Sequence, residues 1–292
     1  MKNKIQNEIL KYFPLNIKNE IEKLAIEEFE EIRLRVERTI MIKTHAKEEI
    51  LNVDGQACVL KKEELNKIFE LICNNSIYAF QEEIANGFIT IPGGHRIGIS
   101  GKPLYKEGKI YSMKDISGLN IRIAREMIGV ANELMKEIIT QDELKNILIV
   151  ALPGVGKTTL LRDIVRQVSN SGKNVGIVDE RSEIAACYKG IPQNDVGIRS
   201  DVMDGVYKED GIKMLVRSMK PDFIATDEIG TEQDIEAIKY AVNAGVNIIA
   251  TAHGKDMNDL KRRKKLYELI ESKIFETIIF LDKNRKISIM NT

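Results

Sequence analysis

The sequence predicts an α/β chain with a mostly parallel sheet, preceded by a smaller α+β domain. Three observations predict it. From residue 146 onward, short apolar runs alternate with helical periodicity, as strand–helix–strand units do. Before residue 140, helices mix with strands of alternating apolar and polar residues. The length, 292 residues, suits two domains at roughly 150 residues each. The expected division is 1–140 and 141–292, with the polar stretch 140–145 as the boundary.

In the first domain, residues 1–30 carry helical spacing through Ile5, Ile9, Leu10, Ile17, Ile21, Leu24 and Ile26. Residues 31–42 set Ile32, Leu34 and Val36 against Arg33, Arg35 and Glu37, the pattern of a half-buried strand. A short strand is expected over 56–60. A helix over 61–74 puts Leu65, Ile68, Phe69 and Ile72 on one face. A glycine-rich strand region spans 87–101, and further strands are expected at 109–111 and 118–124. In the second domain, apolar runs at 146–150, 174–179, 222–227 and 247–251 suit a parallel sheet covered on both faces. Helices fit 157–170, 208–219 and 233–244. A closing hairpin is expected from 275–281, a turn at 282–285, and 286–290.

Residues 151–159 read Ala-Leu-Pro-Gly-Val-Gly-Lys-Thr-Thr between the first of those strands and its helix. This is a phosphate-binding loop. The segment Pro153-Gly154-Val155-Gly156-Lys157-Thr158-Thr159 is expected to bind the ligand, the backbone N–H groups of the turn and of the opening helix pointing at one spot that favours anionic phosphate. Lys157 is expected at the β/γ-phosphates and the Thr158 hydroxyl on Mg²⁺. Ala151 stands where the first glycine of the motif usually sits. With this loop, the parallel sheet reads as a RecA-like P-loop ATPase core binding ATP and Mg²⁺.

Three further strand ends carry chemistry. Strand 222–227 runs into Asp227-Glu228; Asp227 suits Mg²⁺, directly or through water, and Glu228 the polarisation of attacking water. Strand 174–179 runs into Asp179-Glu180-Arg181-Ser-Glu183. Ligands of open parallel sheets bind beyond strand carboxyl ends, so Asp179, Glu180 and Glu183 are candidates for placing metal or water. Strand 247–251 runs into Thr251-Ala-His253-Gly254, where His253 is expected to donate to the γ-phosphate. Phosphoryl-transfer charge is commonly offset by arginine; the candidates are Arg122 and Arg125, with Arg96, Arg199 and Arg217 behind them.

Composition narrows the function classes. Lys plus Arg and Asp plus Glu are both 44, and aromatics are 5%, which counts against a chain-wide polyanion-binding surface. The one dense basic run, 261–265, reads as a solvated face or a partner surface. Cys58, Cys73 and Cys187 are scattered and lack metal spacing, the pattern of a reducing compartment. The amino terminus is charged and without a signal-peptide core. No apolar run approaches the ~20 residues of a membrane span, so any membrane role is expected to run through a partner or the surface.

Taken together, these motifs resemble the stage III sporulation protein AA family of the type II/type IV secretion ATPase superfamily. The match is carried by Glu31-Ile-Arg-Leu-Arg-Val36, Tyr78–Gly87, Gly93-Gly-His-Arg-Ile-Gly-Ile-Ser-Gly101, Asn120-Ile-Arg-Ile-Ala-Arg125, the phosphate loop, 178–186, Met219-Lys-Pro-Asp222, and Thr226-Asp-Glu-Ile-Gly230. Residues 179–183 sit where the superfamily has its Asp box, and Thr251–Gly254 resembles its His box. One departure is Glu37-Arg38-Thr39, where the family pattern has Gly-Arg-Pro. The resemblance implies a cytoplasmic mother-cell ATPase, peripheral to a membrane through the membrane-embedded components of a sporulation channel. It also implies a homo-oligomer, a hexameric ring, with domain motion about the linker near 140; the composition already argues against a nucleic-acid partner. Gly118 and Gly129 are its expected hinge points. An ATP-binding conformational switch and a nucleic-acid-stimulated RecA-like ATPase are the alternatives. Stimulation by single-stranded nucleic acid would mark the second.

Overall fold

The computed structural model describes residues 2–138 and 145–292. The expected boundary and hinge segments at 140–145 therefore lie, apart from Lys145, outside the described residues. The chain divides into two compact units, Met1–Arg125 and Glu126–Thr292.

The first unit holds helices α1 (Lys2–Ile9), α2 (Leu15–Glu22), α3 (Lys62–Ile72) and α4 (Gln81–Ala85). Its strands are β1 (Phe29–Arg35), β2 (Met41–Thr44), β3 (Glu48–Ile50), β4 (Asn52–Val53), β5 (Gln56–Ala57), β6 (Phe88–Ile91), β7 (His95–Lys106) and β8 (Lys109–Arg122). Six of them form a sheet in the order β3-β2-β1-β8-β7-β6, antiparallel throughout. The alternation over 31–42 is two strands, because Glu37 takes φ 56 and turns the chain between β1 and β2. That is the left-handed region a glycine enters freely, so the family's Gly-Arg-Pro turn is made here by a glutamate. The short strands expected at 109–111 and 118–124 are one strand, β8, because β7 pairs along its length through two irregularities. Of the Gly-Gly-His-Arg segment, Gly93 (φ 90) and Gly94 (φ 76) lie in the β6–β7 turn, and His95 and Arg96 open β7. Its histidine is structural. Buried His95 accepts the Ala124 N–H at Nδ1 (3.0 Å), and its Nε2 meets Glu8 of α1 at 3.2 Å.

The second unit runs α5 (Asn132–Ile138), β9 (Ile147–Ala151), α6 (Lys157–Asn170), β10 (Val175–Asp179), β11 (Ser200–Asp204), α7 (Lys208–Ser218), β12 (Phe223–Thr226), α8 (Glu232–Asn243), β13 (Asn247–His253), α9 (Met257–Lys261), α10 (Lys264–Glu271), β14 (Thr277–Leu281) and β15 (Ile287–Asn291). The sheet order is β11-β10-β12-β13-β9-β14-β15. Every pair is parallel except β14–β15. Both faces are covered. Ile147 and Ile149 pack with Leu161 and Ile164 on one side, while Leu148 and Val150 pack with Ile235 and Ile238 on the other. That is why the strands read as unbroken apolar runs. β11 was not expected; it is an edge strand in which Val202 and Met203 are only partly buried against the two cores and Asp201 and Asp204 are exposed.

The division after Arg125 precedes the expected boundary for a packing reason. Leu134, Met135 and Ile138 of α5 are buried in the same core as α6 and β9. Asp163 of α6 also accepts the N–H groups of Gly129 (3.1 Å) and Ala131 (2.8 Å). Gly129 is therefore tied to the phosphate-loop helix. Gly118 lies in mid-strand, paired with Arg35 and Ser100, and a Cβ there would come within 2.7 Å of Ser100 Oγ. Close approach of strands, not hinging, accounts for that glycine.

Candidate active site

β9 is buried along its whole length and delivers the chain to the phosphate loop at the carboxyl edge of the sheet. Gly154 (φ 75) and Gly156 (φ 118) take left-handed backbone, and a Cβ at either would meet no atom, so conformation alone demands glycine there. Ala151 is different. It remains in β9, registered with His253 and Leu281, and any residue adopts that extended backbone. The departure from the motif costs the turn nothing.

Thr158 and Thr159 are half-buried in the first turn of α6, and Lys157 is 5% exposed. The Lys157 ammonium is held inside the loop. Its Nζ donates to Leu152 O (3.3 Å) and to His253 Nδ1 (3.1 Å). Burial lowers its pKa, against the opposing fields of Glu228 and Asp227. An ammonium can only donate, so Nδ1 of His253 is the acceptor and Nε2 carries the proton. Nε2 lies 3.1 Å from Glu228 Oε1, and Glu228 Oε2 accepts from Arg181 at 2.6 Å. One line of contacts thus joins the phosphate-loop lysine to the acid at the end of β12.

Glu228 sits in strained backbone, φ 45, of the kind that persists only where its surroundings impose it. Here β13 imposes it. The Glu228 N–H donates to Thr251 Oγ1 (2.9 Å), and the Ile229 N–H to Thr251 O (2.8 Å).

Asp227 is 1% exposed, and both its carboxylate oxygens are buried without a hydrogen-bond partner. Burial pushes its pKa up to about 7, with the charges of Asp179, Glu183 and Glu228 adding to the rise and Lys208 opposing it. A carboxylate in that position has no hydrogen-bonded partner to hold its charge, and the field of Lys208 only partly offsets it. A divalent cation supplies the counter-charge, so Asp227 and the Thr158 hydroxyl fit the Mg²⁺ role expected of them. No cluster of three or more His, Cys, Asp or Glu able to hold a metal occurs among the described residues. The fit is to a cation carried largely by phosphate oxygens and water.

The Asp-box acids divide by role. Asp179 accepts the N–H groups of Glu183 (2.8 Å), Ile184 (3.0 Å) and Ala185 (2.8 Å), and so caps its own loop. Glu180 pairs with buried Lys208. Glu183 presents a half-buried carboxylate whose charge reaches Asp227. Arg162 of α6 clamps this loop to the phosphate-loop helix through Ile184 O (2.6 Å) and Glu183 O (2.7 Å). Arg122 and Arg125 belong to the first unit. Arg122 is exposed at the end of β8; Arg125 donates to Phe29 O (2.9 Å) and meets His45 Nε2 at 3.0 Å. Sequence reading missed Arg162, Arg181, Lys208 and the Thr251 hydroxyl. Thr251 carried a signal as the first residue of Thr-Ala-His-Gly, and Arg181 and Arg162 lay inside matched segments without a role assigned to them.

The family described as Sporulation stage III, protein AA matches residues 3–291. The chain belongs to that family. Stage III sporulation protein AA of Bacillus subtilis (strain 168) is 38% identical over 285 residues, covering 95% of this chain and 91% of that protein. A nucleoside-triphosphatase, THEP1 of Methanocaldococcus jannaschii, is 29% identical over 164 residues, 46% of this chain and 94% of that one. Among solved structures, the pilus retraction motor PilT with bound ADP superposes with a TM-score of 0.61 at 15% identity, over 89% of this chain and 76% of that chain. The Legionella pneumophila ATPase DotB gives 0.58 at 16% identity, over 95% and 80%. At such identities these likenesses establish the fold alone, one shared with PilT and DotB. Among the described residues, no helix is long and apolar enough to cross a membrane.

Proposed function

We propose that this chain is an ATP-hydrolysing motor of the secretion-ATPase type. It would energise or assemble the mother cell–forespore channel of a spore former. One observation carries the reading: the buried, unpartnered Asp227 stands beside Glu228, which His253 connects to the phosphate-loop Lys157. A phosphate-binding module alone has no need of an acid held at that point in strained backbone.

In this reading the loop N–H groups and Lys157 cradle the β- and γ-phosphates, and Lys157 exchanges His253 for phosphate oxygen. Asp227 and Thr158 would hold Mg²⁺, which when bound offsets charge on the phosphates. Glu228 polarises the attacking water. It is preferred over Glu183 because its carboxylate is joined through His253 to the lysine that meets the γ-phosphate. His253, released from Lys157, has an Nδ1 open to exchange. Arg122 and Arg125 are the proposed arginines that offset phosphoryl charge. The subunits would form a homo-oligomeric ring, hexameric by likeness to the superfamily, in the mother-cell cytoplasm. Membrane-embedded channel proteins would hold it at the membrane.

Steady-state ATP hydrolysis across a wide range of protein concentration, with Lys157→Ala as the blank, tests the reading. Specific activity that climbs steeply with concentration is expected for sites completed in a ring. Tight nucleotide binding with no turnover, alone or with the channel proteins added, would refute a motor and leave a switch.

A further inference from the structure

The acid assigned to water activation is gripped from two directions, by residues at the ends of two different strands. Thr251 and His253, both on β13, fix the backbone of Glu228 and its Oε1. Oε2 is held by Arg181, which arrives from a different strand end, two residues beyond β10. The terminal torsion of a glutamate is broad, so a contact at one oxygen leaves the carboxylate plane free to swing. Contacts at both oxygens from separate strands fix the plane.

We propose that Arg181 is a positioning residue for Glu228. By holding Oε2 it sets the carboxylate with Oε1 on the His253 side, where Lys157 lies, and so fixes where the attacking water is received. The two oxygens offer about four lone-pair sites. Arg181 and His253 engage one each, and the water still finds an acceptor. The inference rests on the ATPase reading above and deepens it.

A bridge with merely structural value would look different. The Arg181 side chain is 56% exposed and Glu228 22%, and exposed ion pairs contribute little to folding. The loop that bears Arg181 is secured without it, by Asp179 on three N–H groups and by Arg162 on two carbonyls. The contacts that hold the loop through Asp179 and Arg162 do not involve the guanidinium, so they survive its removal while Glu228 Oε2 loses its donor.

The test compares Arg181→Ala, Arg181→Lys, Glu228→Gln and the double variant Arg181→Ala/Glu228→Gln in full-length protein. Readouts are kcat, KM, melting temperature and the Kd of a fluorescent ATP analogue. Arg181→Ala is expected to lower kcat about tenfold, while KM and analogue Kd stay within about twofold, the split of a transition-state effect. Arg181→Lys restores part of the loss, because an ammonium reaches Oε2 as a point charge without the fork. With Glu228→Gln already present, Arg181→Ala adds no further loss, since the two residues act as a unit. Wild-type kcat in Arg181→Ala would overturn the proposal. So would a loss confined to KM or melting temperature, or an undiminished effect in the Glu228→Gln background. Wild-type protein no more active than Lys157→Ala would instead bring down the ATPase reading, and this inference with it.

Discussion

Replacing Asp227 by asparagine removes a charge the fold holds at a cost, and the cost follows from the site. Burial, with Asp179 next, moves this carboxyl from 3.8 to about 7, a displacement corresponding to about 4 kcal/mol. The folded chain keeps its proton to higher pH than the unfolded chain. Between about pH 4 and pH 7 the folded state therefore binds more protons, and stability falls as pH rises through that window, levelling off above it. The carboxamide of the variant would have no proton to lose. Titrating groups far from the site cancel between the two proteins, so the stability difference reports this carboxyl together with the acids coupled to it. The Asp227→Asn variant should gain on wild type by about 3 kcal/mol between pH 5 and pH 8.5. For a domain of this size that corresponds to roughly 6–12 °C in melting temperature. The assay is thermal melting of both proteins in EDTA at steps across that range. Adding Mg²⁺ to the ADP-bound proteins at pH 8 should then raise the wild-type transition further than the variant's, since the variant has lost the cation's carboxylate. A gap that does not change with pH, or a wild type that gains on the variant as pH rises, would refute the account of Asp227 as a buried carboxylate awaiting a cation.

Thr251→Val keeps side-chain shape but strands the Glu228 N–H in strained backbone; it should cost about 1–3 kcal/mol in denaturant unfolding and lower kcat with it. Ala151→Gly restores the usual motif residue, yet the position is extended strand; nucleotide Kd should stay within about twofold and stability fall by about 0.5–1 kcal/mol. Gly197→Ala forces a Cβ to within 2.4 Å of Ser169 Cβ at a backbone of φ 91; a loss of about 2–4 kcal/mol is expected, read as a drop in melting temperature.

The nucleotide unit was legible because its strands are buried on both faces and its loop is dense in glycine. Those two properties write themselves into composition, as in the unbroken run of β9 and the paired glycines at 154 and 156. β11 was not legible for the converse reason. An edge strand whose only apolar residues are the adjacent Val202 and Met203, flanked by exposed Asp201 and Asp204, leaves too short an apolar signature to show a period, and its pairing to β10 is a long-range fact. The single long β8 was hidden in the same way, because Lys109–Lys114 alternates weakly and only its partner β7 completes it.

The division within the active site follows the same logic. Lys157, Asp227 and His253 each end or follow a strand and belong to short motifs, so chain position announced them. Arg181 and Arg162 act through atoms 47 and 21–22 residues away, and local pattern cannot report such partners. Asp179 shows the error this invites. Its place at a strand end made it a candidate for metal or water, yet three N–H groups of its own loop occupy its oxygens. Asp227, at the end of the neighbouring strand, has no such partner on either oxygen. Two aspartates in equivalent sequence settings are thus separated by hydrogen bonding alone: one carboxylate is spent on holding the loop, and the other is left with charge to offer a cation.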